Sequence, residues 1–154
     1  MNKLILAALL CAASLPGQLA TKKSLTLEAA KKIAAAAEAE AKRNNWTVVI
    51  CIVDDGANLI YLQKADGTQI GSIDVAQAKA KAAVRYKRPT KAQEDALAGG
   101  RQAVLALPGF MPVEGGLPLL AGNELIGAIG VSGVQSNQDG IVAAAGVAAA
   151  NQLK

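Results

Sequence analysis

The chain has 154 residues, 52% of them hydrophobic, which is enough for the core of one ordinary domain and short for two. Four residues are aromatic (Trp46, Tyr61, Tyr86, Phe110), histidine is absent, and the formal net charge is +4. The missing imidazole excludes Ser-His-Asp and Cys-His catalysis, histidine-ligated zinc and an intrachain histidine ligand to haem iron, and so small a positive charge gives no argument for nucleic acid.

Residues 1–20 read as a secretory signal peptide. Lys3 supplies a short positive start, Leu4 to Ala13 is an apolar run too short to span a bilayer, and Pro16-Gly17 breaks it before Ala20. In Ala8-Leu9-Leu10-Cys11 the position just before the cysteine lacks the small side chain that a lipoprotein signal needs there, so no membrane anchor is expected. Cleavage would remove only Lys3 among the charged residues, taking +4 to +3, and would leave Cys51 as the one cysteine, with no intrachain disulfide. The expected location is periplasmic or secreted, and residues 21–154 form a single domain.

Thr26 to Asn44 predicts the first helix, with Thr26 as N-cap and Leu27, Ala30, Ile33, Ala34, Ala37 and Ala41 as its apolar stripe. Trp46 to Val53 is a nearly continuous β-branched run, the pattern of a strand covered on both faces. Asp54-Asp55-Gly56 turns the chain, and Ala57 to Lys64 alternates as the hairpin partner. Ser72 to Arg88 predicts a second helix, stopped by Pro89, and Thr90 to Leu97 a short third one with Thr90 and Gln93 at capping-box spacing. The stretch around Val104 leaves room for a strand. Leu107 to Pro118, with its prolines and glycines interleaved with Phe110, Met111 and Val113, reads as an ordered loop. Leu117 to Ala121 and Leu125 to Val131 are strands, and a last helix runs from about Asn137 to Leu153, with Ser136 and Asp139 at capping spacing. Hairpins dominate this order, so the class is α+β, with helices packed on an antiparallel sheet.

Each chemical candidate has a structural counterpart. Lys79, Lys81, Arg85, Lys87, Arg88 and Lys91 form a basic cluster, with Lys81, Arg85 and Arg88 on one helical face; it could bind an anionic ligand or simply be a solvated surface. Tyr86 could stack on a ligand or belong to the core. Gly115-Gly116 could cradle an anion or serve a turn that needs positive φ. Asp54, Asp66 and Asp74 could exchange protons, but turn and helix-start roles account for all three. Cys51, between Ile50 and Ile52, reads as a buried inert thiol. No metal site is expected.

The motifs carry a resemblance. Asp54-Asp55-Gly56-Ala57-Asn58-Leu59 resembles the VDxGGNL hairpin of the GlcG/HbpS-like (haem-degrading domain) family, which is similar to the C-terminal domain of PduO-type corrinoid adenosyltransferases. Ser72 to Ala80, Arg88-Pro89-Thr90, Pro108 to Pro118 and Gly127 to Gly133 are similar to its later motifs, in order, over Leu25 to Lys154. The resemblance implies an α/β/α sandwich around a five-stranded antiparallel sheet, profilin-like in layout and assembled as a homo-oligomer. It further implies a small-molecule ligand, haem or a related tetrapyrrole, with Thr90 as a weak axial contact to iron. Against that role stands the capping role that its spacing already gives Thr90.

These readings place the ligand where the end of the second helix, the Arg88-Pro89-Thr90 corner and the Pro108–Pro118 loop converge. Thr90, Tyr86, Arg85, Arg88, Lys79, Phe110 and Met111 are the expected contacts, and haem held without histidine is the expected cofactor. The alternative function is an accessory protein or small enzyme acting on a hydroxy acid or another catabolic intermediate.

Overall fold

The computed structural model describes residues 19–153, so the predicted leader lies outside the described residues except for Leu19 and Ala20. Along the described residues run α1 (Leu27–Arg43), β1 (Val49–Asp54), β2 (Leu59–Lys64), α2 (Ser72–Tyr86), α3 (Thr90–Ala98), a 3-10 turn (Gln102–Ala106), β3 (Gly116–Ala121), β4 (Glu124–Ser132) and α4 (Ser136–Ala150). The strands form one antiparallel sheet in the order β2-β1-β4-β3.

Among the described residues the sheet has four strands, which corrects the expected five. The segment around Val104 coils instead, because Val104 alone is buried between exposed Gln102, Ala103 and Leu105, with no alternating apolar face to lay on a sheet. Its backbone bonds stay local: the Val104 N–H reaches the Arg101 carbonyl, and the Leu107 N–H the Val104 carbonyl.

Alternation along β1 sends side chains to two cores. Ile50 and Ile52 join Ile33, Ala37, Val142 and Ala143 under α1 and α4, while Val49, Cys51 and Val53 meet Ala76, Ala80 and Ala83 of α2. The result is a sheet sandwiched between helices, the layering that a β-strand buried on both faces requires.

Helix ends follow local chemistry with two departures. Thr26 caps α1, its hydroxyl accepting the Ala29 N–H at 3.1 Å. For α4 the cap is Gln135, which reciprocates with Gln138, and the predicted Ser136–Asp139 pair plays no such part because Asp139 turns inward. Thr90 is the first residue of α3 behind Pro89 and makes no capping bond to its own helix. Lys87 closes α2 in the left-handed region at φ 51°, the Arg88 N–H reaches back to the Ala83 carbonyl, and Pro89 prevents the helix from continuing.

Candidate functional site

The predicted corner exists, and the 107–118 loop folds over it. Tyr86 donates its hydroxyl to the Pro108 carbonyl at 2.7 Å and packs edge-on against Phe110, with ring centroids 6.3 Å apart. Arg85 is exposed and lies across the loop, so close that a methyl group on Gly109 would come within 2.8 Å of its Nη1. Arg88, also exposed, donates from Nε to the Tyr86 carbonyl at 3.3 Å.

Three side chains of α3, at positions 90, 93 and 94 on one helical face, hold that loop from below. The Gly116 N–H donates to Thr90 Oγ1 at 2.9 Å, the Met111 N–H to Gln93 Oε1 at 2.8 Å, and the Glu114 N–H to Glu94 Oε2 at 2.7 Å. A glycine- and proline-rich loop with no strand partner leaves backbone donors to be satisfied, and these acceptors satisfy them. Thr90 is fully buried in this task, so its hydroxyl faces β3 and not the surface. Met111, half-buried, meets α3 through its backbone.

Lys79 departs furthest from its predicted place. It leaves the basic face altogether, is 1% exposed, and donates to Asp139 Oδ2 at 2.8 Å and to the Val131 carbonyl at 3.0 Å. The helix face explains this: Lys79 lies beside Ala76 and Ala80 on the stripe turned to the sheet, and its ammonium reaches past β4 to α4. Burial pushes the Asp139 carboxyl above its ordinary range, against the pull of Lys79 and of the Val134 and Gly133 N–H groups. The pair sits under Gly115, whose φ of 124° and lack of a side chain leave room for Lys79 Nζ and the Val131 carbonyl. That supports the turn reading for Gly115, since protein atoms fill the space an anion would need; Gly116 has no positive φ and instead opens β3, where a Cβ would meet the Lys79 carbonyl oxygen at 2.4 Å.

The remaining candidates have structural roles. Asp54 accepts the Gly56 and Asn58 N–H bonds that shape the first hairpin; burial works to raise its carboxyl, and these bonds prevail and lower it. Asp74 occupies the first turn of α2. Burial pushes the Cys51 thiol up to about 12, which keeps it protonated and unreactive.

The corner is divided into two cavities. On the β3 side, a groove of about 540 Å³ is lined by Lys87, Pro89, Leu117, Pro118, Leu125 and Val147. Its size falls within the roughly 300–1,000 Å³ of small-molecule sites. On the other side, a cavity of about 100 Å³ lies among Tyr86, Arg88, Gln93, Arg101 and Phe110. Gln93 is 2% exposed, and its Nε2 has no acceptor among the described residues. An unpaired buried amide costs about 1–3 kcal/mol. A third cavity, of about 600 Å³, lies between residues 23–29 and the β3–β4 turn, where the Lys23 ammonium is already bonded to the Ala121 carbonyl. Sequence reasoning missed Gln93, Glu94, Arg101 and the groove wall. Three polar side chains on one face of α3, opposite a loop rich in unpaired N–H groups, were the available signal.

Fold and site together define a small α+β sandwich whose cavities gather at the end of α2 and along the edge strand β3. The family model described as "Haem degrading protein HbpS-like" matches residues 25–148, and the chain belongs to the HbpS-like family. It is 38% identical over 112 residues to "Protein GlcG" of Escherichia coli strain K12, covering 73% of this chain and 84% of GlcG. A crystal structure of a double mutant of Streptomyces reticuli HbpS superposes with a TM-score of 0.78 at 33% identity, covering 92% of this chain and 97% of that one. The crystal structure of a PduOC–haem complex gives 0.76 at 27% identity, covering 82% and 95%. No helix among the described residues is long and apolar enough to cross a membrane.

Proposed function

We propose that this chain binds haem or a related tetrapyrrole in the groove between the end of α2 and the β3–β4 hairpin. The groove itself carries this reading: it has the size for a planar macrocycle, largely apolar walls and Lys87 at its rim to meet a carboxylate substituent. The residues fit the ring better than they fit the iron. Among the described residues no imidazole, thiolate or thioether lines the groove, and Thr90 is committed to Gly116 beneath the loop. Burial and charge would therefore hold the ligand, at modest affinity. Kinship supports the same ligand, since a similar structure is a haem complex. With the predicted leader, this reading has the protein exported to the periplasm or beyond, as a homo-oligomer.

Haemin titration of the chain lacking its leader, followed at the Soret band against serum albumin, tests it. Lys87→Asn removes the cation while tolerating the left-handed backbone, and Leu120→Glu charges an exposed wall residue. Each is expected to weaken binding at least about threefold, or about 0.65 kcal/mol, while Tyr86→Phe leaves it unchanged. Unshifted constants for both groove variants refute the groove. A parent that binds no better than albumin refutes the tetrapyrrole reading and leaves the catabolic accessory or enzyme in first place.

A further inference from the structure

The small cavity on the other side of Pro89 has a chemistry of its own. Because the Met111 N–H points at the Gln93 side chain at 2.8 Å, the amide must present its oxygen there, and the orientation of Gln93 is fixed. Its Nε2 is then a buried donor without an acceptor among the described residues. Arg88 and Arg101 line the same cavity, and among the described residues no carboxylate does. Arg88 spends only its Nε on the Tyr86 carbonyl, which leaves the end of its guanidinium available. The cavity thus gathers hydrogen-bond donors and positive charge around a space walled by Ala92, Ala96, Val104, Leu107 and Phe110.

We infer that this cavity is a binding site for a short-chain carboxylate, independent of the haem groove. One carboxylate oxygen accepts from Gln93 Nε2, the charge is matched by Arg88 and Arg101, and the alkyl end lies on the apolar wall. Size limits the ligand: about 100 Å³ is the share of about three waters at roughly 30 Å³ each, so only a ligand of a few non-hydrogen atoms fits. Acetate and propionate fit that limit, and an aromatic acid does not. Sulfate or phosphate would turn oxygens toward the apolar wall, where nothing donates to them. A guanidinium fork and an amide donor are the groups that recognise a planar carboxylate.

The test is a titration of the ¹⁵N-labelled protein with sodium acetate and propionate at constant ionic strength, following the Gln93 side-chain amide and the Met111 N–H. Both resonances are expected to shift saturably with either acid, and not with acetamide, sodium chloride or benzoate. Gln93→Glu keeps an oxygen for the Met111 N–H and replaces the free donor by an anionic oxygen. It should weaken acetate more than tenfold. Arg101→Gln, at an exposed position, should weaken it at least threefold and decides the matter if Gln93→Glu fails to fold. Lys87→Asn, a groove residue, should leave acetate affinity unchanged, so this site and the haem reading fail separately. No saturable shift, acetamide binding as well as acetate, an affinity unchanged in Arg101→Gln, or one lost with Lys87 would each overturn the inference.

Discussion

The two faces of the sheet are held by different physics. Under α1 and α4 the core contact is hydrocarbon, with Asp139 at the start of α4 as the buried polar exception: Ala30, Ile33, Ala34 and Ala37 of α1 and Val142 and Ala143 of α4 lie on Ile50, Ile52, Ile129 and Val131. Under α2 and α3 an apolar patch around Val49, Cys51 and Ala80 is ringed by buried polar groups, namely Lys79, Thr90, Gln93 and the Ser72–Ser132 pair. Apolar burial is non-directional, so the first face fixes how near the helices lie and little else. Buried polar groups must find partners at defined distances, so the second face fixes where a loop goes. The small cavity at the α2 corner is bounded by elements that the second face positions, and the groove beside it also takes Leu117 and Val147 from the first. The polar face therefore governs the site, and the apolar face supplies the platform.

The comparison breaks most visibly at Lys79 and Asp139. Asp139→Leu leaves a buried ammonium with only the Val131 carbonyl, and unfolding in urea should show a loss of about 3–5 kcal/mol. Lys79→Met combined with Asp139→Leu removes both charges and should recover much of that loss. If the single substitution costs under about 1 kcal/mol, the pair does not hold α2 to α4.

A second break exploits distance. Gly130 of β4 faces α2 so closely that a Cβ there would meet the Ala76 carbonyl oxygen at 2.1 Å and the Ala80 nitrogen at 2.5 Å. These are backbone atoms of a helix and cannot rotate away. Gly130→Ala must shift α2 on the sheet, at a cost of about 3 kcal/mol, the upper part of the usual overpacking range. Because α2 also carries Tyr86 and Arg88, thermal unfolding should fall together with Tyr86–Phe110 packing read by near-ultraviolet circular dichroism.

How far the sequence disclosed this division depends on how far apart the partners lie. The apolar face was legible: the stripe from Ala30 to Ala41 and the β-branched run before Asp54 are local patterns, and each declares its period within a few residues, although Leu27, counted in that stripe, is left exposed at the start of α1. Pro89 as a helix stop, the Asp54 turn and the Thr26 cap were legible for the same reason. The polar face was misread because its partners are distant in the chain. Lys79 pairs 60 residues away with Asp139, and Thr90 bonds 26 residues away to Gly116. Read locally, Lys79 joined a basic helix face, while Thr90 with Gln93 made a capping box. The strand considered near Val104 failed differently, since one buried valine carries no period. The corner at Arg88-Pro89-Thr90 was found, but its partition into an apolar groove and a donor-lined cavity depends on the folded path of the 107–118 loop, which local spacing does not encode.

The smallest effect sharpens the comparison by making the same substitution on the other face. Gly146 of α4 points at the sheet, and a Cβ there would meet Ile129 Cδ1 at 2.6 Å and Ile33 Cγ2 at 3.2 Å. Both are side-chain methyl groups, and the nearer one is the free end of an isoleucine that can turn to another rotamer. Alanine also favours the helix over glycine by about 1 kcal/mol, which offsets part of the repacking strain. Gly146→Ala should therefore change stability by less than about 1 kcal/mol in urea unfolding, and should leave haemin and acetate binding as they are. The contrast with Gly130 is what matters: one methyl group meets movable hydrocarbon on the platform face and fixed backbone on the face that positions the site. A loss at Gly146 equal to that at Gly130 would mean that the hydrocarbon face is as rigidly specified as the polar one, and that directional bonds are not what distinguishes the two.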